Sequence, residues 1–267
     1  MSGVHKRLSV HNVTFYGESL AALEAHWAAL GVSRLSILDS QLLDPEFAKL
    51  LQRNAYSVEA VCHIFGGGRL ETGAPAARDA LLRVIDAAAT VGARVVYMLT
   101  GGRGDLNWSQ AADRFRGMIA PCVEHAKRAG VALAIENASS LYADIHLAHT
   151  LRDTITLAEA SGLGICIELF HCWAEGDFEA MVQRALPRTE LIQLSDYVLG
   201  DRALPGRAVP GDGAIPLEAF VGQALAGGYA HGFDLELIGP RIDAEGRLQS
   251  AQRACLVVGA MLDRLGA

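Results

Sequence analysis

Residues Leu133-Ala-Ile-Glu-Asn137 decide how the rest of the chain reads. Val131 to Ile135 is an unbroken apolar run, as a strand buried on both faces requires, and it stops at a carboxylate, Glu136, followed by Asn137. A carboxylate at the end of a buried strand is costly unless a cation or a hydrogen-bond network meets it. Three later runs end comparably: Gly164-Ile-Cys-Ile-Glu168, Leu191-Ile-Gln193 and Phe233-Asp-Leu-Glu236. The reading they suggest is that Glu136, Glu168, Gln193 and Glu236 converge on one divalent metal at the mouth of a barrel.

Outward from these runs, strand and helix signals alternate along the whole chain. Strands are expected over Leu8–Val13, Leu35–Leu38, Ser57–Phe65, Ala93–Leu99, Val131–Glu136, Leu163–Glu168, Glu190–Leu194 and Gly232–Leu237. Between and after them, helical spacing is expected over Glu18–Leu30, Asp44–Asn54, Pro75–Val91, Ser109–Ala129, Ile145–Ser161, Asp177–Ala185, Leu217–Ala226 and Ser250–Leu265. Gly31, Gly92, Gly130 and Gly162 each stand just past a helix, where glycine is a common stop. Pro121 predicts a kink or break in its helix. Strict βα alternation implies an α/β fold with a parallel sheet and right-handed crossovers. Eight repeats close into a (β/α)₈ barrel. The competing open sheet places a glycine fingerprint after its first strand, whereas Thr14-Phe-Tyr-Gly17 stands there. No linker or charge run divides residues 1–267, so one domain is expected, in line with the roughly 250 residues typical of such barrels.

Composition excludes several classes. Hydrophobic residues make up 51% and aromatics only 6%, so Ala, Leu and Val must fill a large core. The net charge of -7 argues against a duplex-binding protein and hence against nucleic acid as partner. Cys62, Cys122, Cys166, Cys172 and Cys255 form no C-x-x-C pair and read as free thiols in a reducing cytoplasm. Met1-Ser-Gly-Val-His-Lys-Arg7 is not followed by an apolar segment, and no apolar run approaches 18 residues, so neither leader nor membrane span is expected.

In a (β/α)₈ barrel the strand C-terminal ends and the loops after them build the active site. Glu136, Glu168, Gln193 and Glu236 fall there on four consecutive strands, and an all-oxygen donor set favours Mg²⁺ or Mn²⁺ over Zn²⁺. The stretches Ile135-Glu-Asn137, Ile167-Glu-Leu-Phe-His171, Ile192-Gln-Leu-Ser-Asp196, Pro210-Gly-Asp-Gly213 and Leu235-Glu-Leu-Ile238 occur in an order that resembles the xylose isomerase-like TIM barrel superfamily, which includes sugar phosphate isomerases and epimerases and the AP endonuclease 2-like proteins. The N-terminal half matches only in rhythm. The resemblance implies one Mn²⁺, Mg²⁺ or Co²⁺ held by Glu136, Glu168, Gln193 and Glu236. Two positions depart from the family pattern: Asp is more frequent at 168 and His at 193. The many extra histidines of the three-zinc endonuclease branch are missing.

The activity implied is isomerisation or epimerisation of a small sugar or other polyhydroxylated carbonyl compound through a metal-stabilised enediolate. Glu136 and Glu236 would be the acid–base pair, and His171 and Arg207 would hold substrate oxygens. A lyase or dehydratase that eliminates a β-substituent from the same enolate is the alternative, and a non-catalytic barrel subunit is a third. Relatives often form dimers or tetramers, and the resemblance implies a homo-oligomer here.

Each site residue also has a plainer reading. Gln193 also reads as a hydrogen-bonding amide behind the ligands, His171 as a loop histidine and Arg207 as a solvated cation. His63, like His11, stands near a strand end, where it reaches the pocket or else sits in the core. Trp108 and Trp173 follow strands and either stack on a substrate ring or simply pack.

Overall fold

Inside a closed barrel every second strand residue faces the axis, where space is short, and the residues between face the helices, where it is not. The strands of this chain obey that division. In a computed structural model describing residues 4–68, 70 and 74–267, Ala134 and Cys166 pack inside the barrel with Ala60, Val95, Tyr97 and Leu191. Leu133, Ile135, Ile165, Ile167 and Ile192 pack outward into the main core against the helices.

Eight parallel strands close in sequence order: β1 (Leu8–His11), β2 (Arg34–Leu38), β3 (Ser57–Ile64), β4 (Val95–Leu99), β5 (Ala132–Glu136), β6 (Gly164–Glu168), β7 (Thr189–Leu194) and β8 (Phe233–Leu235). Leu8 of β1 pairs with Phe233 of β8 to shut the barrel. The main helices are Leu20–Leu30, Pro45–Asn54, Ala74–Thr90, Trp108–Ala129, Leu151–Ser161, Phe178–Ala185, Leu217–Ala226 and Arg247–Arg264. The (β/α)₈ expectation is met. Two details of it are corrected. The helix through Pro121 runs unbroken from Trp108 to Ala129, because Pro121 lies on the exposed face, where the missing N–H costs least.

The helix expected from Ile145 begins only at Leu151, with the Thr150 hydroxyl accepting from Asp153 N at its start. Residues 145–147 are instead stitched to the ends of β4 and β5. Gly101 N donates to Ile145 O (3.0 Å), Thr100 N to His146 Nδ1 (3.0 Å), and His146 Nε2 to Glu136 O (2.9 Å). With Nδ1 accepting, Nε2 carries the ring proton, and burial followed by nearby His149 pushes the His146 pKa down to about 3. A neutral histidine thus ties down the backbone of Glu136. Among the described residues no helix is long and apolar enough to cross a membrane, and the residues Met1–Gly3, part of the N-terminal reading, lie outside the described ones.

Candidate active site

Alternation turns Glu136, Glu168, Gln193 and Glu236 toward the barrel axis, and the stagger of the strands sets their heights. Glu136 is level with Cys166, Glu168 with Gln193, and Gln193 with Asp234, so Glu236 stands above Gln193. A guanidinium sits among the carboxylates. Arg207 Nη2 lies 3.1 Å from Glu236 Oε1 and 3.4 Å from Glu168 Oε2. Its other face stacks on Phe170, with the guanidinium carbon 5.1 Å from the ring centroid. Burial alone would lower the Arg207 pKa, but Glu236, Glu168 and Glu136 outweigh it and raise the value. Gln193 presents its nitrogen to this group: Nε2 donates to Glu236 Oε2 and lies 3.2 Å from Tyr97 Oη and 3.4 Å from Asp234 Oδ2. The amide oxygen accepts instead from Cys166 Sγ (3.2 Å).

The motif residues without reactive side chains build the frame. Asn137 reads the backbone of its neighbour strand, donating to Glu168 O (2.8 Å) and accepting from Glu168 N (3.0 Å). Asp196 gathers four amides: Oδ1 accepts from Tyr197 N and Ile215 N, and Oδ2 from Gly211 N and Gly213 N, at 2.8–3.0 Å. A Cβ on Gly213 would meet Asp196 Oδ1 and Tyr197 O at 2.4 Å, so only glycine closes this loop. Asp196 and Ala208 also exchange backbone hydrogen bonds of 2.9 and 2.8 Å. The Pro210-Gly-Asp-Gly213 stretch is therefore the clamp that presents Arg207, one residue before Ala208, to the carboxylates.

Glu136, Glu236, Arg207 and His171 line one cavity at the C-terminal end of the barrel. His171 Nε2 lies 3.6 Å from Glu168 Oε2. Burial, then the charge of Arg207 and the proximity of His146, hold the imidazole well below its usual pKa, so it is neutral. The cavity also contains His11, Tyr97 and Tyr142. Tyr97 Oη meets His11 Nε2 at 2.8 Å while His11 Nδ1 accepts from Val13 N. Tyr97 and Tyr142 escaped sequence reasoning, although Tyr97 carried a signal: it is a bulky polar residue at an inward position two before the end of its strand.

Two expected contributors are elsewhere. His63 does not line the cavity. Cys62 takes the inward position of β3, so the next residue must face away, and His63 Nδ1 pairs with Asp39 Oδ2 at 2.6 Å. Trp108 opens its helix and donates to Leu147 O (3.1 Å), also outside the cavity lining. Neither residue therefore stands on the cavity with Glu136 and Glu236.

A family model described as xylose isomerase-like TIM barrel matches residues 20–256. The chain belongs to that family. No functionally curated protein matches the sequence at a significant level. Among solved structures, the fold of this xylose isomerase-like barrel is similar to that of IolI protein with a bound zinc atom (TM-score 0.81, 16% identity, 97% of this chain and 99% of the other). It is also similar to L-ribulose 3-epimerase (TM-score 0.76, 18% identity, 97% and 95%). A third is the probable 3-DHS dehydratase AsbF of Bacillus anthracis (TM-score 0.75, 13% identity, 94% and 98%). At these identities the likeness establishes the fold.

The donor chemistry of the xylose isomerase-like site fits a divalent cation in part. Three carboxylates, two of them buried, face one guanidinium, so two of the three have no cation to balance them when ionised. Neither oxygen of Glu168 has a hydrogen-bond partner although the side chain is wholly buried. Burial pushes its pKa up to about 8; Arg207 and the nearby amides of Phe170 and His171 act against this, and Glu236 adds to it. Burial, then Glu236 and Glu168, hold Glu136 well above the usual carboxylate range. An added dication answers that imbalance. Gln193 does not fit as placed, because its nitrogen, not its oxygen, faces Glu236. As the side chains stand, no group of three or more His, Cys, Asp and Glu among the described residues is placed to hold a metal ion.

Proposed function

We propose that this xylose isomerase-like barrel is a divalent-metal-dependent isomerase or epimerase acting on a small hydroxylated carbonyl compound by proton transfer between carboxylates. The observation that carries the reading is the placement of two carboxylates, buried Glu136 and partly buried Glu236, on one cavity, backed by Glu168, whose oxygens accept no hydrogen bond. A divalent ion, Mg²⁺ or Mn²⁺ by its oxygen donors, would be held by Glu136, Glu168 and Glu236 and would acidify a C–H next to a carbonyl.

The protein's own groups account for the proton movements. Glu236, fixed by Arg207 and by the Gln193 amide, takes the proton from carbon, and the C–H electron pair passes into the adjoining C–O system as an enediolate. Glu136, whose burial favours its protonated form, returns a proton to the neighbouring carbon, while the hydroxyl proton passes to the former carbonyl oxygen, or to the opposite face of the original carbon. The first outcome is isomerisation, the second epimerisation. Arg207 and neutral His171 hold substrate oxygens, and the buried setting of these groups keeps competing water from the reacting carbon.

Solvent deuterium tests the scheme. Metal-loaded protein incubated in D₂O with its substrate incorporates label at the carbon next to the carbonyl. Full turnover by rigorously metal-free protein, or turnover without label, defeats the proposal. The alternative of β-elimination, supported by the fold likeness to a probable dehydratase, is separated by product analysis, since elimination releases the β-substituent. A cytoplasmic setting is consistent with five free cysteines, four of them buried.

A further inference from the structure

The walls of the cavity differ in kind from its floor. The polar groups that remain to meet a ligand lie together: Arg207 is 3.1 Å from Glu236, His171 is 3.6 Å from Glu168, and the Tyr142 ring centroid is 5.9 Å from that of His171. The polar groups opposite are already engaged, His11 with Val13 N and Tyr97, and Tyr97 with Gln193. What encloses the rest of the space is aliphatic: Val13, Leu38, Leu99, Ile145, Pro205 and Ile238. These six come from the ends of β1, β2, β4 and β8 and from the loops after β5 and β7, and each is partly exposed. The apolar character continues outward. Among the described residues, Tyr16, Leu43, Ile64, Leu141, Leu199 and Leu204 are exposed large hydrophobics on the same C-terminal side.

A free sugar is poorly served by such walls. Hydroxyls beyond the reacting carbons would leave water without finding partners. An apolar group there would instead cover exposed aliphatic surface. We propose that the substrate is an α-hydroxy carbonyl compound whose polar head of two or three carbons meets Glu136, Glu236, Arg207 and His171, and whose remainder is an apolar or aromatic group seated against Leu38, Leu99, Ile145 and Ile238. This rests on the proton-transfer reading for the head group, and the cavity walls alone specify the tail.

The test compares α-hydroxyacetophenone with D-fructose on the Mn²⁺-loaded protein, by titration calorimetry for binding and by NMR in D₂O for exchange of the carbon-bound hydrogen next to the carbonyl. Binding of the aryl compound at least tenfold tighter than the sugar, and weakened at least threefold by Ile145→Asn or Leu99→Asn, is the expected result. Equal or tighter binding of D-fructose overturns the substrate class, as does failure of both to bind, and exchange of the bound sugar would then leave the proton-transfer reading standing. Tight binding of the aryl compound without exchange upholds the class and defeats the chemistry proposed for the head group.

Discussion

At the N-terminal end of the barrel Glu59 and Glu190 meet Arg34 and Arg94, whereas at the C-terminal end Glu136, Glu168 and Glu236 share Arg207. Both ends bury acid, but only one balances it. The register shifts where β3 and β7 each carry one extra residue, and the extra residues are Glu59 and Glu190. Such bulges re-aim a side chain. Arg94, just before β4, spans the two: Nε donates to Glu59 Oε1 (2.7 Å) and Nη1 to Glu190 Oε2 (3.0 Å). Arg34 closes on the other Glu59 oxygen. Burial alone would raise the Glu59 pKa, but Arg94 and Arg34 outweigh it and hold the carboxyl below its usual range. At the other end Glu168 and Glu136 are raised and Glu168 is without hydrogen bonds. A fully paired network contributes to holding a fold, and an under-paired one is available for binding and chemistry.

The contrast can be broken by mutation. Glu136→Gln and Glu236→Gln are expected to lower turnover by about 10²- to 10⁴-fold, the usual worth of a positioned acid or base, with an unchanged circular dichroism melt. Near-wild-type rates in both would place the chemistry elsewhere. At the opposite end Glu59→Ala removes the carboxylate partner of Arg34 and leaves Arg94 only Glu190, and it is expected to cost about 3–5 kcal/mol of stability, as breaking a buried pair does. Urea unfolding reads that loss, and kcat of the folded fraction stays as it was. Asp196→Ala releases the loop that presents Arg207 and is expected to cost about 1.5–3 kcal/mol, the scale of a hydrogen bond to a charged group. A rise in KM without this stability loss would show that the clamp is not structural.

The two ends should also titrate in opposite directions. Glu168 has its folded-state pKa raised, from 4.5 to about 8, so its folded form binds the extra proton. Its contribution to metal-free stability is fully present below about pH 4.5 and is lost as pH rises toward 8. The Glu59 value is depressed from 4.5, so its contribution is present above that pH and lost on acidification through the lower folded value. A smaller effect is expected here than from the substitutions, because Arg207 offsets part of the charge at the upper end. Thermal melts of metal-free Glu168→Gln should show a weaker alkaline decline, with the share of Glu136 remaining, and keep the acid one; an unchanged alkaline limb would mean Glu168 is not responsible. Cation binding should release protons from the upper end, seen as a buffer-dependent calorimetric heat.

Much of this was legible along the chain. The period-two division of Ala-Leu-Ala-Ile-Glu136 and Gly-Ile-Cys-Ile-Glu168 into small inward and large outward residues is a local property, as are the glycine stops and the repeat of strand and helix. Together they specify an eight-stranded barrel and the strand-end positions of the acidic residues. Closure and stagger decided what no local signal carries. They put Arg207 between Glu168 and Glu236, turned Gln193 so that its nitrogen meets Glu236, and faced His63 toward Asp39 rather than the cavity. They also joined Glu59 and Glu190 through Arg94. A side chain's direction follows from its place in a strand, but the charges it meets come from strands far away in sequence, and their separation is set only when the barrel shuts.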